Sequence, residues 1–419
     1  MSLALPELIL IAAACFNAVL AVINGHVVGL SRAHVVLAEI AIYATALAVI
    51  VFNADRRMWP WFMLTLFILL MGLLIALGNG EFNPKYIRDV LVIPVFIMLG
   101  MTYRAGSFVK PFLVLQTIVF MVGLIEVVSP DAYANTFRVL DYYINTRDFS
   151  ANSFWNVEST LFVSATRPGA RFFGFVDWHR GSSIFLEPVS LGNYCVVAAI
   201  LIIACWRDLG GWTRYYLIGS TGFILIACDG RLATASILIV FFSLLFLRNV
   251  SSRWSALYLP AILFASSVYI WAVGKGDSYD DFVGRVSGTI DFLQTLNLLD
   301  FSGMNARTAE SAADAGIVYF ILSQSLLGVI VIWLSVCLLA SGQTSPSRTY
   351  VHAIMIFIPL NLLVSYSFFT IKVASLIWFF YGYHYVDDLE FEATLSRDQK
   401  FASATARPAT SDDRARGTA

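Results

Sequence analysis

Long apolar runs alternate with polar segments along most of the 419-residue chain. Most runs are about 17–25 residues long, which is the length a helix needs to cross the hydrocarbon core of a bilayer. Within each run the apolar residues are continuous rather than alternating, so the pattern predicts membrane-spanning helices and excludes a spanning barrel. We predict twelve spans, at residues 7–24, 33–53, 59–78, 87–103, 109–128, 184–206, 212–228, 232–248, 254–273, 313–340, 350–366 and 368–385.

The composition supports the same class of protein. Hydrophobic residues make up 58% of the chain and charged residues 13%, whereas about a quarter of the residues in a soluble domain are charged. We therefore expect an all-α polytopic membrane protein. The last two spans are separated only by residues 365–372, and a re-entrant hairpin at that place fits the pattern equally well.

Lysine and arginine in the short connections set the expected orientation, because positive charge disfavours the translocation of short loops. One set of connections carries nine basic residues and the opposite set carries five. The richer set is Arg56, Arg57, Arg104, Lys110, Arg207, Arg214, Arg248, Arg253 and Arg348, and the poorer set is Arg32, Lys85, Arg88, Arg231 and Lys372. We therefore expect the richer set and the N-terminus on the cytoplasmic side.

Two long polar inserts, residues 129–183 and 274–312, fall on the opposite, outer side in this orientation. The final part of the first insert is basic, whereas acidic residues outnumber basic ones in the second insert. Such a charge pattern is compatible with an anionic group held at the first insert and a polar neutral ligand lying across the second.

The expected domain organisation follows from these segments. Residues 1–386 form one transmembrane helical domain that carries both inserts. Residues 387–419 are rich in Ala, Ser, Thr, Arg and Asp and have little to bury, so we expect a disordered cytoplasmic tail.

Several kinds of chemistry have no sequence signal. The net charge is −1, and no basic run or aromatic platform indicates a nucleic-acid partner. No phosphate loop, dinucleotide fingerprint or paired His/Cys metal spacing is present, so we expect no cofactor and no metal site. The five cysteines lie in or beside apolar runs and predict no disulfide framework.

The stretch from Arg167 to Tyr194 gathers more reactive side chains than any other part of the chain. It ends the first insert and enters the sixth span, so it brings these side chains to the membrane surface. Arg171 lies beside two phenylalanines and a glycine, at a depth where arginine can pair bidentately with phosphate. Alone, Arg171 would more simply extend to the lipid headgroups, but Arg167 and Arg180 nearby favour an anion site.

Three residues of this stretch are candidates for proton transfer. Glu187 precedes Pro188 at the start of the sixth span, where a helix cap explains the pair without any chemistry. The functional alternative is a general base whose pKa is raised by partial burial. Asp177 and His179 are the other candidates, and an exposed loop residue is the simpler reading of His179.

A second, shorter cluster is the Asp229-Gly230-Arg231 turn between two spans. The glycine explains a tight turn, and a solvated charge pair there needs no function. The predicted topology nevertheless places Arg231 at the same membrane face as Arg171. Glu39, Glu126 and Asp89 lie in or near spans, where buried charge is costly, and we rank them as secondary candidates.

These motifs resemble the O-antigen polymerase and ligase superfamily, and the Wzy-type polymerases in particular. The likeness rests on R-x-x-G-x-F at Arg171, Gly174 and Phe175, on the Glu187-Pro188 pair that opens a span after the large insert, and on the D-G-R-L-A-T-A-S segment at 229–236. The arrangement of spans with two large inserts matches the superfamily along nearly the whole chain.

The resemblance implies a metal-independent glycosyltransferase in the bacterial inner (cytoplasmic) membrane. Such an enzyme transfers a glycan from an undecaprenyl-diphosphate carrier to a sugar hydroxyl at the periplasmic face. Arginines would hold the diphosphate, and aromatic side chains would stack on sugar rings. The residues that match these roles are Arg171, Arg231, Arg167 and Arg180 for the diphosphate and Phe172, Phe173 and Trp178 for the sugars.

Other readings stay open. The ligase branch has a histidine in its second large insert, and residues 274–312 contain none, which favours a polymerase over a ligase. A non-enzymatic transporter of polysaccharide precursors is the competing class, and it requires broken helices and charged groups at the bilayer midplane. Besides the carrier-linked oligosaccharide and membrane lipid, flippase and chain-length regulator proteins are candidate partners.

Overall fold

The computed structural model describes residues 3–103, 107–147, 149, 161, 165, 171–274, 282–312, 315–340 and 342–405, with side chains to residue 394. These residues form helices and no strand. The helices are α1 (Leu5–His26), α2 (Arg32–Phe52), α3 (Trp59–Asn79), α4 (Pro84–Thr102), α5 (Val109–Val128), α6 (Pro130–Phe137), α7 (Val139–Arg147), α8 (Pro188–Ala204), α9 (Gly211–Cys228), α10 (Arg231–Leu247), α11 (Tyr258–Val273), α12 (Phe282–Thr295), α13 (Leu298–Ser302), α14 (Gly316–Leu338), α15 (Ser345–Leu362) and α16 (Ile371–Thr405).

Local sequence signals explain where several helices begin and end. Proline stands in the first turn of α1, α3, α4, α6, α8 and α15, where its missing N–H costs no helical hydrogen bond. Asn83 caps α4 by accepting a hydrogen bond from the backbone N–H of Lys85. Gly80 ends α3 with φ 64°, a conformation that glycine adopts without steric cost.

Each of the twelve predicted apolar runs coincides with a helix. Within the described part of the chain, six helical segments are long and apolar enough to cross a membrane, at Leu5–His26, Arg32–Phe52, Arg56–Asn79, Val109–Val128, Ser252–Val273 and Gly316–Leu338. α8 and α10 are apolar but shorter. The all-α membrane class predicted from the sequence is therefore confirmed, while the number of spans stays a prediction.

The bundle has buried central helices and peripheral helices with exposed apolar faces. α4, α8, α15 and the first turns of α16 are buried on nearly all sides. α4 and α16 approach closely because Gly100 and Gly382 have no side chain at their contact. A Cβ at Gly100 would lie 2.0 Å from the Phe379 carbonyl oxygen, and one at Gly382 would lie 2.0 Å from the Ile97 carbonyl oxygen. Large apolar side chains on α2, α3, α10 and α11 face outward, as lipid-facing helices require.

The described residues of both inserts lie at one end of the bundle, which we call the insert face. It contains the ends of α1, α3, α5, α9, α11 and α15 and the beginnings of α2, α4, α8, α10, α14 and α16. Side-chain hydrogen bonds across it join Asn79 to Gly303, Arg171 to Ile226, and Lys372 to Phe185. Arg171 and the Arg231 turn therefore share this face, as the sequence analysis predicts.

The C-terminal segment differs from the expected disordered tail. α16 continues as helical backbone through Thr405, so it includes residues 387–405. Its first part is fixed because buried Asp388 accepts hydrogen bonds from the Thr344 N–H at 2.8 Å and the Ser347 hydroxyl at 2.7 Å. Residues 406–419 lie outside the described residues.

Candidate functional site

Arg171 holds the end of α9. Its Nη1 donates to the backbone carbonyls of Trp178 and His179, and its Nη2 donates to those of Ile226 and Ala227. The last C=O groups of a helix lack intrahelical partners, so a guanidinium is a natural cap for them. The side chain is only 11% exposed. Arg171 thus has a structural role that the sequence analysis did not anticipate.

The turn between α9 and α10, residues 228–231, is the Asp229 turn. Asp229 has φ 51° and is buried, and its carboxylate accepts the backbone N–H groups of Phe172 and Phe173 at 3.1 and 3.0 Å. Its Oδ1 also lies 3.7 Å from Arg171 Nε. The turn therefore fixes the Arg171-Phe172-Phe173 segment against the bundle.

Two further arginines lie at the Asp229 turn. Arg231 is exposed at the first position of α10, and Arg180 Nε donates to the Cys228 carbonyl at 3.4 Å. The adjacent Gly181 N–H donates to the Ala227 carbonyl at 2.8 Å, which fixes the Arg180 backbone at the end of α9. The structure thus brings Arg171, Arg180 and Arg231 together from two distant parts of the chain.

His179 faces a carboxylate. Its Nε2 lies 3.4 Å from Glu126 Oε1, near the end of α5, and makes no hydrogen bond among the described residues. Glu126 is fully buried and accepts the backbone N–H groups of Ser182 and Ser183 at 2.8 and 2.7 Å. The His179 side chain is 15% exposed. An imidazole beside a fixed carboxylate is an arrangement that can accept a proton.

Glu187 forms the centre of an ionic group, which we call the Glu187 cluster (Tyr143, Arg147, Glu187 and Lys372); Lys372 is buried, Glu187 is 12% exposed and Arg147 is 40% exposed. Arg147 Nη1 lies 2.7 Å from Glu187 Oε1, and Lys372 Nζ lies 3.4 Å from Oε2. The Tyr143 hydroxyl donates to Oε1 at 2.8 Å. Residues of the first insert and of α16 therefore meet at the beginning of α8.

The electrostatics of Glu187 disagree with the proposed raised pKa. Burial acts to raise the pKa of this carboxyl, but Arg147 and Lys372 outweigh burial and hold the pKa well below its ordinary value. Glu187 is therefore ionised at neutral pH and is a weak base. The cap position is confirmed, since Glu187 is the N-cap residue and Pro188 the first helical residue.

A second ionic group adjoins the first. We call it the Arg88 cluster (Glu39, Arg88, Asp89 and Tyr319). Arg88 lies 2.6 Å from both Glu39 Oε2 and Asp89 Oδ1, and the Tyr319 hydroxyl donates to Asp89 Oδ2 at 2.6 Å. Glu39 also interacts electrostatically with Arg147. The secondary candidates Glu39 and Asp89 thus belong to a paired network at the insert face.

The beginning of α8 links the Glu187 cluster to the Asp229 turn. A Cβ at Gly192, in the second turn of α8, would lie 3.4 Å from the Ala233 side chain and 3.9 Å from Cys228 Sγ. The absence of a side chain at Gly192 therefore lets α8 approach the turn that carries Arg231. Buried Asn193 connects the same end of α8 to Ser367 and Asn361.

The remaining predicted residues are placed as follows. Asp177 is exposed, and no side-chain hydrogen bond or ion pair joins it to another described residue. Phe172 and Trp178 are partly exposed, and the Trp178 ring packs 6.0 Å from Phe223. Phe173 is half-buried and contacts Phe172. Arg167 lies outside the described residues.

Sequence reasoning missed Arg147 and treated Lys372 only as a loop charge. A signal existed in both cases, because Arg147 follows two tyrosines in the first insert and Lys372 stands alone among apolar residues at the start of a span. What the sequence does not contain is the contact that joins them, since Glu187 is distant from both along the chain. For Glu126, which contacts His179, the sequence indicated only a carboxylate in or near a span.

Among the described residues, no group of three His, Cys, Asp or Glu side chains is placed to hold a metal ion. In comparisons with known proteins, no family model, curated protein or solved structure matches this chain.

Proposed function

We propose that this protein is a membrane glycosyltransferase that polymerises lipid-linked oligosaccharide repeat units. The observation that carries the proposal is the convergence of cationic side chains around the beginning of α8. Arg180 and Arg231 lie at the Asp229 turn, and Arg147 and Lys372 lie in the Glu187 cluster. A diphosphate bound at a membrane surface requires such a concentration of positive charge.

In the proposed reaction, a hydroxyl oxygen of the acceptor sugar attacks the anomeric carbon of the donor glycan. The bond between that carbon and the diphosphate oxygen breaks, and its electron pair stays on the diphosphate. Arg180 and Arg231 stabilise the charge that develops there. The hydroxyl proton passes to Nδ1 of His179, while Glu126 faces the other ring nitrogen and orients the ring.

Glu187 takes a different role in this proposal from the base suggested by the sequence. It keeps Arg147 and Lys372 in place beside the diphosphate, and its low pKa preserves its charge during turnover. Arg171 acts on the same site through the backbone, since it fixes the His179 carbonyl and the end of α9. Both are positioning residues.

The test uses purified protein in lipid nanodiscs and the carrier-linked glycan that accumulates in a strain lacking this gene. We expect wild-type protein to convert this glycan into a ladder of longer carrier-linked products, in EDTA as well as in its absence. The Arg231→Ala variant serves as the impaired control. Failure of well-folded wild-type protein to lengthen the glycan contradicts the proposal.

The proposal includes twelve spans and a periplasmic insert face in the inner membrane. The nine-to-five bias of basic residues in short connections supports this orientation. Asp177 and Glu390 have exposed side chains, so Asp177→Cys and Glu390→Cys place an accessible thiol at opposite ends of the bundle. In intact spheroplasts, a membrane-impermeant maleimide should label Asp177→Cys and not Glu390→Cys. The wild-type protein, with its native cysteines, gives the background labelling. Labelling of Glu390→Cys alone would show the opposite orientation.

One observation favours a transporter of polysaccharide precursors as the second candidate. α14 is interrupted inside the bundle at Ser325, whose φ is 62° and ψ is 160°. The adjacent Gln324 is buried, and its Oε1 has no hydrogen-bond partner among the residues that the structure describes. Broken helices with free polar groups are a feature of transporter sites. Movement of the carrier-linked glycan across proteoliposomes, without any lengthening, distinguishes this candidate from the polymerase.

A further inference from the structure

A cavity of about 230 Å³ opens at the insert face between the end of α3, the beginning of α4 and the second insert. We propose that it binds one uncharged sugar residue of the glycan, remote from the reacting bond. This inference rests on the proposed polymerase function and adds a binding site to it. The polar side chains that line the cavity are Asn79, Glu81, Asn83, Tyr86, Arg307, Glu310 and Ser323.

The walls of the cavity are held in place before any ligand binds. Asn79 donates to the Gly303 carbonyl at 2.8 Å and accepts the Ala306 N–H at 2.9 Å. The buried Tyr86 hydroxyl donates to the Ala306 carbonyl at 2.9 Å. The second insert is therefore fastened to α3 and α4, and a ligand does not have to order these segments on binding.

The charge of the lining excludes the diphosphate as the occupant. Arg307 pairs with Glu81, with Nε and Oε2 3.0 Å apart. Glu310 adds a second carboxylate, so one positive and two negative side chains leave a net charge of −1. A phosphate would be repelled, whereas carboxylate, amide and guanidinium groups can all hydrogen-bond to sugar hydroxyls.

The cavity wall also contains apolar side chains. Ile75, Ala76 and Ile87 lie beside the Tyr86 ring in the wall of the cavity. A sugar ring has apolar C–H faces and a polar rim, which matches apolar and hydrogen-bonding groups in one small space. Drug-sized ligands occupy roughly 300–1,000 Å³, so a cavity of about 230 Å³ fits a single ring rather than an oligosaccharide.

The position of the cavity explains why it would hold a remote sugar. The rings of Tyr86 and Tyr319 lie 6.1 Å apart, and Tyr319 bonds to Asp89 of the Arg88 cluster. The cavity therefore borders the Arg88 cluster, and its lining includes no residue of the Glu187 cluster or of the Asp229 turn. Binding a remote sugar lowers KM and keeps a growing glycan attached between transfers.

The experiment measures KM, kcat and product length with the carrier-linked glycan from the deletion strain. Ala76→Phe fills the cavity, and Glu310→Gln removes an exposed carboxylate without disturbing a buried contact. We expect Ala76→Phe to raise KM about tenfold and to shorten the products, and Glu310→Gln to raise KM about threefold, each with kcat within about twofold. Asp131→Asn, on exposed α6, is the control at the same face.

The possible outcomes distinguish a failure of the proposed sugar-binding cavity from a failure of the proposed polymerase function. If wild-type protein forms polymer but Glu310→Gln and folded Ala76→Phe have unchanged KM and product length, the cavity does not bind a sugar. The proposed polymerase function then still stands. If Ala76→Phe melts below the wild type, Glu310→Gln decides. If wild-type protein forms no polymer, the proposed function and the cavity fail together.

Discussion

Arg171 and Glu187 come from one stretch of sequence and are 11% and 12% exposed at the same face, yet different groups surround their charges. Arg171 is surrounded by backbone carbonyls of its own segment and of α9. Glu187 is surrounded by side chains from α7 and α16. Arg171 therefore fastens its own segment to a helix end, whereas Glu187 joins three distant parts of the chain through ionic contacts.

The exposed Arg231 provides the contrast to both. It lies at the Asp229 turn, beside Arg171, but remains accessible at the start of α10. A phosphate can therefore approach the exposed Arg231 from solvent more easily than it can approach Arg171, which is only 11% exposed. Replacing the three residues in turn distinguishes a role in folding from a role in binding.

The largest expected effect is on the free energy of unfolding after Glu187→Gln. Removing the carboxylate leaves the buried Lys372 ammonium uncompensated, and the loss of one partner of a buried ion pair costs about 3–5 kcal/mol. Thermal unfolding of protein in detergent measures the loss. Glu390→Gln is the matched control, because that carboxylate is 61% exposed and lies 3.9 Å from Arg57, so we expect less than about 1 kcal/mol there. Equal melting temperatures for Glu187→Gln and Glu390→Gln contradict this account.

The pH dependence of the same variant sharpens the test. A carboxyl whose pKa is lowered by folding stabilises the folded state at pH values above its ordinary pKa of 4.5. That contribution is lost as the pH falls below 4.5 towards the pKa of the folded state. The difference in stability between wild type and Glu187→Gln should therefore be full at pH 7 and shrink below about pH 4.5. A difference that stays constant down to pH 3 indicates that Glu187 acts by packing alone.

Most of the fold could be predicted because its signals are local. Apolar runs, prolines at helix starts and Gly80 at a helix end all act within a few residues. The site could be predicted only in part. The turn at Asp229 and the cap at Glu187 were readable, but the carbonyls that occupy Arg171 and the cations that surround Glu187 come from remote segments. A single sequence does not encode such contacts in any local pattern.

The second prediction separates Arg231 from Arg171. Arg231→Ala should lower turnover about 10²–10³-fold, because a donor to the developing charge is lost, and should leave the melting temperature close to that of the wild type. Arg171→Ala should lower the free energy of unfolding by about 2–3 kcal/mol, since its bonds to carbonyls are charge-assisted. Arg171→Lys should restore little of this, because an ammonium cannot reproduce the planar fork.

Turnover assays and thermal unfolding on the same preparations measure both halves of this comparison. Asp131→Asn is again the control for a change at the insert face. If Arg171→Ala has a normal melting temperature and a large loss of turnover, Arg171 binds the diphosphate directly. Full turnover in Arg231→Ala removes Arg231 from the site.

The third prediction concerns the pair of His179 and Glu126. His179→Gln should lower turnover about 10²-fold, as expected for the loss of a general base. Glu126→Gln should have a smaller effect of about tenfold, because Gln can still accept the Ser182 and Ser183 N–H groups. Added imidazole should restore part of the activity of a His179→Gly variant and none of the activity of Arg231→Ala. Equal responses of both variants to imidazole argue against His179 as the proton acceptor.

The smallest effect is expected at Asp177, which shares the first insert with His179 and was an equal candidate for proton transfer. The carboxylate is exposed, and no side-chain hydrogen bond or ion pair fixes it to another described residue. An exposed carboxylate without a positioning partner stays solvated and contributes little to proton transfer, since a general base must be held within hydrogen-bond reach of its target. Asp177→Asn should therefore change turnover less than about twofold under conditions where His179→Gln loses about 10²-fold. A loss at Asp177 as large as that at His179 would place the reacting sugar over the exposed loop instead of beside the end of α5.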